Sequence, residues 1–209
     1  MSLDNISEAV VKGNAKDVAK LVQEAIDGKI PAQDILNKGL LKGMSIIGQK
    51  FQDGEVFVPE VLIGARALNK GTEILKPKLV AEGVKPIGKA VGGTIKGDLH
   101  DIGKNLVKLM MEGVGFEVID LGFDVSAEQI IAAVKENQPQ IVFMSAMLTT
   151  TMPYFSVVVE ALKSAGLRDK LKIMIGGSPV TPGFCAEIGA DGTTEDASSA
   201  AEMAKKFVS

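Results

Sequence analysis

The chain is short of the residues that build most metal and disulfide sites. It has no tryptophan, one histidine (His100) and one cysteine (Cys185). A single cysteine excludes an internal disulfide framework, and its bland role is a small buried apolar group. A single histidine excludes a metal site made of several imidazoles within one chain. Aromatic residues are only 4% of the total, too few to wall a flavin. Net charge is −3, and Lys and Arg form no cluster of the density that nucleic acid requires. No apolar run approaches the roughly 20 residues of a membrane span. Met1-Ser2-Leu3-Asp4 lacks the charged and apolar regions of a signal peptide. These absences point to a cytoplasmic protein with neither nucleic acid nor membrane as partner. What is present, 46% hydrophobic and 23% charged residues over 209 positions, suits a chain that buries a core in one or two domains.

The hydrophobic period changes near residue 85, and that change sets the expected architecture. Before it, apolar residues recur at helical spacing. Ile6, Val10 and Val11 mark a first helix. Val18, Val22 and Ala25 mark a second, with Asn14 as N-cap and Gly28 where a terminal glycine would end it. Pro31 opens a third, carrying Ile35, Leu40, Met44 and Ile47. Pro59 opens a fourth, through Leu68 and Leu75, which is expected to stop before Pro77. Residues 1–82 therefore read as a four-helix bundle, and Leu79 to Pro86 as a linker. Across 83–209 strand and helix alternate. Strands are expected at 89–95, 117–121, 141–145 and 172–175, with Ala190-Asp191-Gly192 as a very short fifth. The alternation implies an α/β domain, flavodoxin-like (Rossmann-type), with a five-stranded parallel sheet of order 2-1-3-4-5.

In such a sheet, ligands sit beyond the carboxyl ends of the strands where the order reverses. That singles out Lys96 to Gly103, Ser145 to Thr151, and Gly176-Gly177-Ser178-Pro179. The first segment holds the only histidine, two residues after Asp98. This spacing lets a carboxylate reach one imidazole nitrogen while the other points outward. One imidazole cannot hold a free metal ion tightly, but it can ligate a metal that brings a macrocycle. Plainer readings exist for each residue. Gly176-Gly177 could be only a tight turn, Ser145 and the threonines only helix caps, Phe51 only bundle core. Asp101 and Lys104 read as solvated loop charges.

Asp98-Leu99-His100-Asp101-Ile102-Gly103 resembles the D-x-H-x-x-G signature of cobalamin-binding domains. The resemblance continues through Ser145, Thr149 and Gly176-Gly177. In the N-terminal half it includes Gly43-Met44, Gly48, Phe51, Gly54, Val58 and Pro59, which resemble the helical cap of the same proteins. It is nearest to the small corrinoid proteins of methyltransferase systems and the matching module of methionine synthase. It implies that His100 is the axial ligand of a corrinoid cobalt, displacing the cofactor's own base. Asp98 would accept the other imidazole N–H, and Thr151 would complete a ligand–carboxylate–hydroxyl relay. Asp101, Ile102, Gly103, Ser145, Met147, Thr149, Gly176 and Gly177 would line the cofactor and a slot for its displaced tail. Phe51 and Val58 would shield the upper face. Met147 stands where the family often has leucine, and Gly192-Thr193-Thr194 where it often has Gly-Tyr.

The cofactor implied is cobalamin or a related corrinoid, as methylcobalamin or cob(I)alamin. The role implied is a methyl carrier, not an enzyme by itself. Its partners would be a substrate-specific corrinoid methyltransferase, an acceptor methyltransferase and a reductive activation protein. A radical-mutase subunit would share the signature but not the bundle. A cobalamin-dependent regulator would need a DNA-binding element, and no helix-turn-helix signal or basic arm is present. A receiver domain would need a phosphoacceptor Asp where strand three offers hydroxyls.

Overall fold

The structure, a computed structural model, describes residues 2–209. The chain forms two compact units, the first running to Pro86 and including Gly113–Gly115, the second covering Ile87–Glu112 and Phe116–Ser209.

The first unit is helical: α1 (Asp4–Val11), α2 (Ala15–Asp27), α3 (Ala32–Asp34), a π-helical stretch (Ile35–Leu41), α4 (Lys42–Gln52) and α5 (Val58–Ala81). The Asn14 side chain accepts from the Asp17 N–H and starts α2, while Val18, Val22 and Ala25 form its buried stripe. Its end falls at the expected glycine, though the left-handed turn lies one residue later. Gly28 has φ −72°, and Lys29 takes the left-handed turn at φ 57°. The expected third helix is a composite of α3, the π stretch and α4. Here α1 lies very close: a Cβ on Gly43 would stand 2.7 Å from Val10 and 2.8 Å from the Ser7 carbonyl.

The expected stop before Pro77 is also corrected, because α5 runs through Pro77 to Ala81. Glu73 and Pro77 both lie exposed, so the helical bond that the proline removes is lost on the outer side of α5. The helix ends instead at Gly83 (φ 69°), with Val84 N–H on Leu79 O and Gly83 N–H on Val80 O, a Schellman closure. The Glu82 carboxylate then ties this end to the Ala32 N–H at 2.7 Å. The linker is accordingly shorter than expected.

The second unit alternates β1 (Lys89–Thr94), α6 (Ile102–Gly113), β2 (Glu117–Asp120), α7 (Ala127–Asn137), β3 (Ile141–Ser145), α8 (Pro153–Ser164), β4 (Lys172–Gly176), α9 (Pro182–Glu187) and α10 (Ala197–Val208). All pairings are parallel, in the order β2-β1-β3-β4. The expected fifth strand is absent, so the sheet has four strands. Gly192 makes only an isolated bridge to Met174. Backbone bonds from Asp191 N–H to Ile173 O (2.7 Å) and from Ile175 N–H to Gly192 O (3.0 Å) hold this stretch to β4, and the Asp191 carboxylate adds the Ile173 N–H and ion pairs with Arg168 and Lys172.

Ile141 to Met144 are all buried, as a central parallel strand requires. One face packs Val142, Met144, Ile173 and Ile175 against Ile130, Phe155, Val158 and Leu162. Gly92 lets β1 receive the Phe143 ring, which a Cβ there would meet at 2.3 Å. Cys185 is 5% exposed and unpaired, and burial pushes its thiol up from the ordinary value. Among the described residues, no helix is long and apolar enough to cross a membrane.

Candidate functional site

The sheet register places Thr94 opposite Ser145 and Ser145 opposite Gly176, one row at the carboxyl edge. Strand order reverses between β1 and β3, so the loops leaving them part at this row. The loop after β1 carries Asp98 and His100. Asp98 is fully buried, at 0% exposure. Its Oδ1 accepts the His100 backbone N–H at 3.0 Å and His100 Nδ1 at 2.7 Å. Its Oδ2 accepts the Met147 N–H at 2.8 Å, the Leu148 N–H at 3.1 Å and the Thr151 hydroxyl at 2.9 Å. Burial pushes this carboxyl up, but the backbone and side-chain donors outweigh it and hold it well below the usual aspartate range. In the neutral imidazole, an ionised acceptor at Nδ1 fixes the tautomer that leaves the lone pair on Nε2. The His100 side chain is 51% exposed, and Nε2 has no protein partner among the described residues.

The Thr151 hydroxyl has one hydrogen and two acceptors at 2.9 Å, Asp98 Oδ2 and the Leu148 carbonyl. It therefore shares its proton between them or alternates. The row below the loop is also joined. Thr94, fully buried, donates to the His100 carbonyl at 3.1 Å and lies 3.0 Å from Ser145 Oγ. With its own proton committed, Thr94 accepts from Ser145. Thr94 was not among the residues that the sequence singles out. The usable signal is its position as the last residue of the strand preceding the histidine loop.

The remaining candidates separate by surroundings. Ile102 and Met147 are exposed at 76% and 54%, and Thr149 is exposed. Asp101 precedes α6 and accepts from Asn105 Nδ2 at 3.0 Å. A Cβ on Gly103 or Gly176 would meet nothing within 4 Å, so space beside them is open. Gly177 is different: with φ 126°, its missing Cβ would stand 1.8 Å from the Ala146 carbonyl. The glycine pair thus divides into one open position and one close backbone contact. Phe51 lies in α4 and Val58 begins α5, both half-buried in the first unit.

Lys104 is a correction. It is not a solvated loop charge. It lies on α6, 3% exposed, with Nζ on Asp120 Oδ1 at 2.6 Å. Lys108 reaches the other oxygen at 3.4 Å, and the Gly122 N–H adds a bond at 3.0 Å. Burial raises the Asp120 carboxyl, but the Lys104 bond and the Gly122 N–H hold it below its ordinary value.

The donor set fits a metal that arrives with its own ligands. One outward Nε2 is offered, and among the described residues no three His, Cys, Asp or Glu side chains gather as a metal site. Leu99, Phe123, Met147 and Leu148 on the loops at this edge, and Ile102 at the start of α6, are all exposed, an apolar surround suited to a flat, largely apolar macrocycle.

Comparison with known proteins gives the family. One family, described as a B12 binding domain, matches residues 88–202, and a second of the same description matches 2–76. A corrinoid protein of Desulfitobacterium hafniense (strain Y51) is 40% identical over 209 residues, covering 99% of this chain and 97% of its own length. Dimethylamine corrinoid protein 3 of Methanosarcina acetivorans is 38% identical over 206 residues, covering 99% and 96%. Among solved structures, the methanol:cobalamin methyltransferase complex of Methanosarcina barkeri aligns with a TM-score of 0.89 at 31% identity, over 99% of this chain and 79% of that one. A cobalamin-binding protein from Desulfitobacterium hafniense DCB-2 aligns with a TM-score of 0.82 at 34% identity, over the whole of both chains. The chain belongs to the B12-binding corrinoid protein family.

Proposed function

We propose that this chain is the corrinoid-binding methyl carrier of a methyltransferase system. The observation that carries the reading is the outward, partner-free Nε2 of His100, backed by a buried and ionised Asp98 at the strand-order reversal. When bound, the corrinoid supplies a cobalt centre that can take up and give away a methyl group. His100 would hold that cobalt through Nε2. Asp98 would orient the ring and keep the proton on Nδ1, and Thr151 would steady the carboxylate's other oxygen. Ile102, Gly103, Ser145, Met147, Thr149, Gly176 and Gly177 are the proposed surroundings of the corrin and its displaced tail, with Asp101 at the start of the helix beside it. Phe51 and Val58 are the proposed shields of the upper face, and 1–82 and 83–209 the proposed cap and cofactor domains.

Neither of the two described units is a substrate-binding barrel: one is helical and the other holds a four-stranded sheet. The methyl would therefore come from a substrate:corrinoid methyltransferase and go to an acceptor methyltransferase, with a reductive activation protein restoring the cofactor. Relatives named for dimethylamine and monomethylamine support that class of donor. The test is reconstitution of the full chain with hydroxocobalamin, followed by gel filtration and a cobalt count. Stoichiometric cobalt is expected; cobalt-free protein would end the reading.

A further inference from the structure

The His100 loop is gripped on one side by the donors that saturate the Asp98 carboxylate. Its other side is held by a residue outside the proposed ligation. Asp124 Oδ1 accepts the Gly97 N–H at 2.8 Å, and the Asp124 N–H donates to the Asp98 carbonyl at 3.1 Å. Together these bonds close a ring between residues 97–98 and a single residue of the loop after β2. Asp124 has φ 56° and Gly97 has φ 85°. A non-glycine residue in this region is uncommon, and aspartate is one of the few that accept it.

The loop bearing Asp124 is itself fixed. The Asp120 carboxylate holds the Gly122 N–H at 3.0 Å. The Gly122 carbonyl accepts the Thr94 N–H at 2.9 Å, and the Val125 N–H donates to the Thr94 carbonyl at 2.9 Å. Asp124 is therefore pinned to β1 on both sides, and it transfers that rigidity to the turn from which Asp98 points inward. It is an exposed residue, where a carboxylate without such bonds would be replaceable at little cost.

We infer that Asp124 is a positioning residue: it sets the Gly97–Asp98 main chain, and through Asp98 the imidazole of His100, before any cofactor arrives. The inference takes its ligand from the corrinoid reading, while its geometry stands independently of it. Two variants separate the possibilities. Asp124→Gly keeps the left-handed backbone and deletes the acceptor; Asp124→Asn keeps both. In the cofactor-free full chain, Asp124→Gly should speed hydrogen exchange at the Gly97 and His100 amides about fivefold, the size expected for one hydrogen bond. The amides of Val91 and Val142 should not change. Hydroxocobalamin should bind about fivefold more weakly, and Asp124→Asn should return both readouts to wild type. Unchanged Gly97 and His100 exchange in Asp124→Gly would overturn the inference. So would an Asn variant that behaves like the Gly variant, or acceleration spread evenly over β1 and β3. A wild-type chain that binds no hydroxocobalamin would sink the corrinoid reading instead, with the exchange measurement still deciding the role of Asp124.

Discussion

Replacing Asp98 by alanine should be the most damaging single change in the second unit that leaves the apolar core intact. The buried carboxylate accepts from three backbone N–H groups, one imidazole and one hydroxyl. Hydrogen bonds to a charged group are worth roughly 1.5–3 kcal/mol each when lost singly, and buried donors left unpaired add to that. The donors share one acceptor and relax together, and water can enter beside the half-exposed imidazole, so the losses do not sum. A net loss of about 3–5 kcal/mol is expected. For a chain of this size that is a fall in Tm of about 6–20 °C. The acid limb carries a second signature. The folded-state pKa of Asp98 lies below the ordinary value of 3.8. Its ionisation therefore stabilises the fold fully above that value, and the contribution is lost as pH falls from there toward the folded pKa. Asp98→Ala should flatten this part of the Tm–pH profile. Differential scanning calorimetry between neutral and strongly acidic pH reads both effects. A variant within 2 °C of wild type (about the smallest shift worth noting), with the same acid slope, would refute the hub described for Asp98.

Gly177→Ala should destabilise the chain by about 2–4 kcal/mol in urea denaturation, because of the Ala146 carbonyl and the positive φ. Gly176→Ala, with open space around it, should stay within about 0.5 kcal/mol while weakening hydroxocobalamin binding if the displaced tail lies there. Lys104→Met should cost about 3 kcal/mol by leaving the half-buried Asp120 short of its main partner, and Lys104→Met with Asp120→Leu should recover much of it. Pro77→Ala should stabilise α5 by about 1–2 kcal/mol by restoring the helical bond to Glu73, read as a higher urea midpoint at unchanged slope.

The strands were legible because a parallel sheet buried on both faces leaves short apolar runs between glycine and proline signals, as Ile141 to Met144 show. Asp98 and His100 were legible because their contact is local, two residues apart in one loop. What sequence spacing misses is tertiary. Lys104 looks solvated until α6 folds it onto Asp120, sixteen residues downstream. Thr94 and Asp124 acquire their roles from partners six to fifty-one residues distant. The composite third helix depends on α1 lying against Gly39 and Gly43. Pro77 is tolerated on the exposed side of α5, and the helix stops only where Gly83 closes it. The supposed fifth strand was too short to distinguish a bridge from a ladder.

The central claim is that His100 Nε2 is the protein's ligand to a corrinoid cobalt. The ultraviolet-visible spectrum of bound hydroxocobalamin in wild type and His100→Gly tests it directly. The wild-type spectrum should show nitrogen ligation by the protein, and the variant should shift to a spectrum without it, with cobalt still bound but more weakly. Superimposable spectra would contradict the assignment.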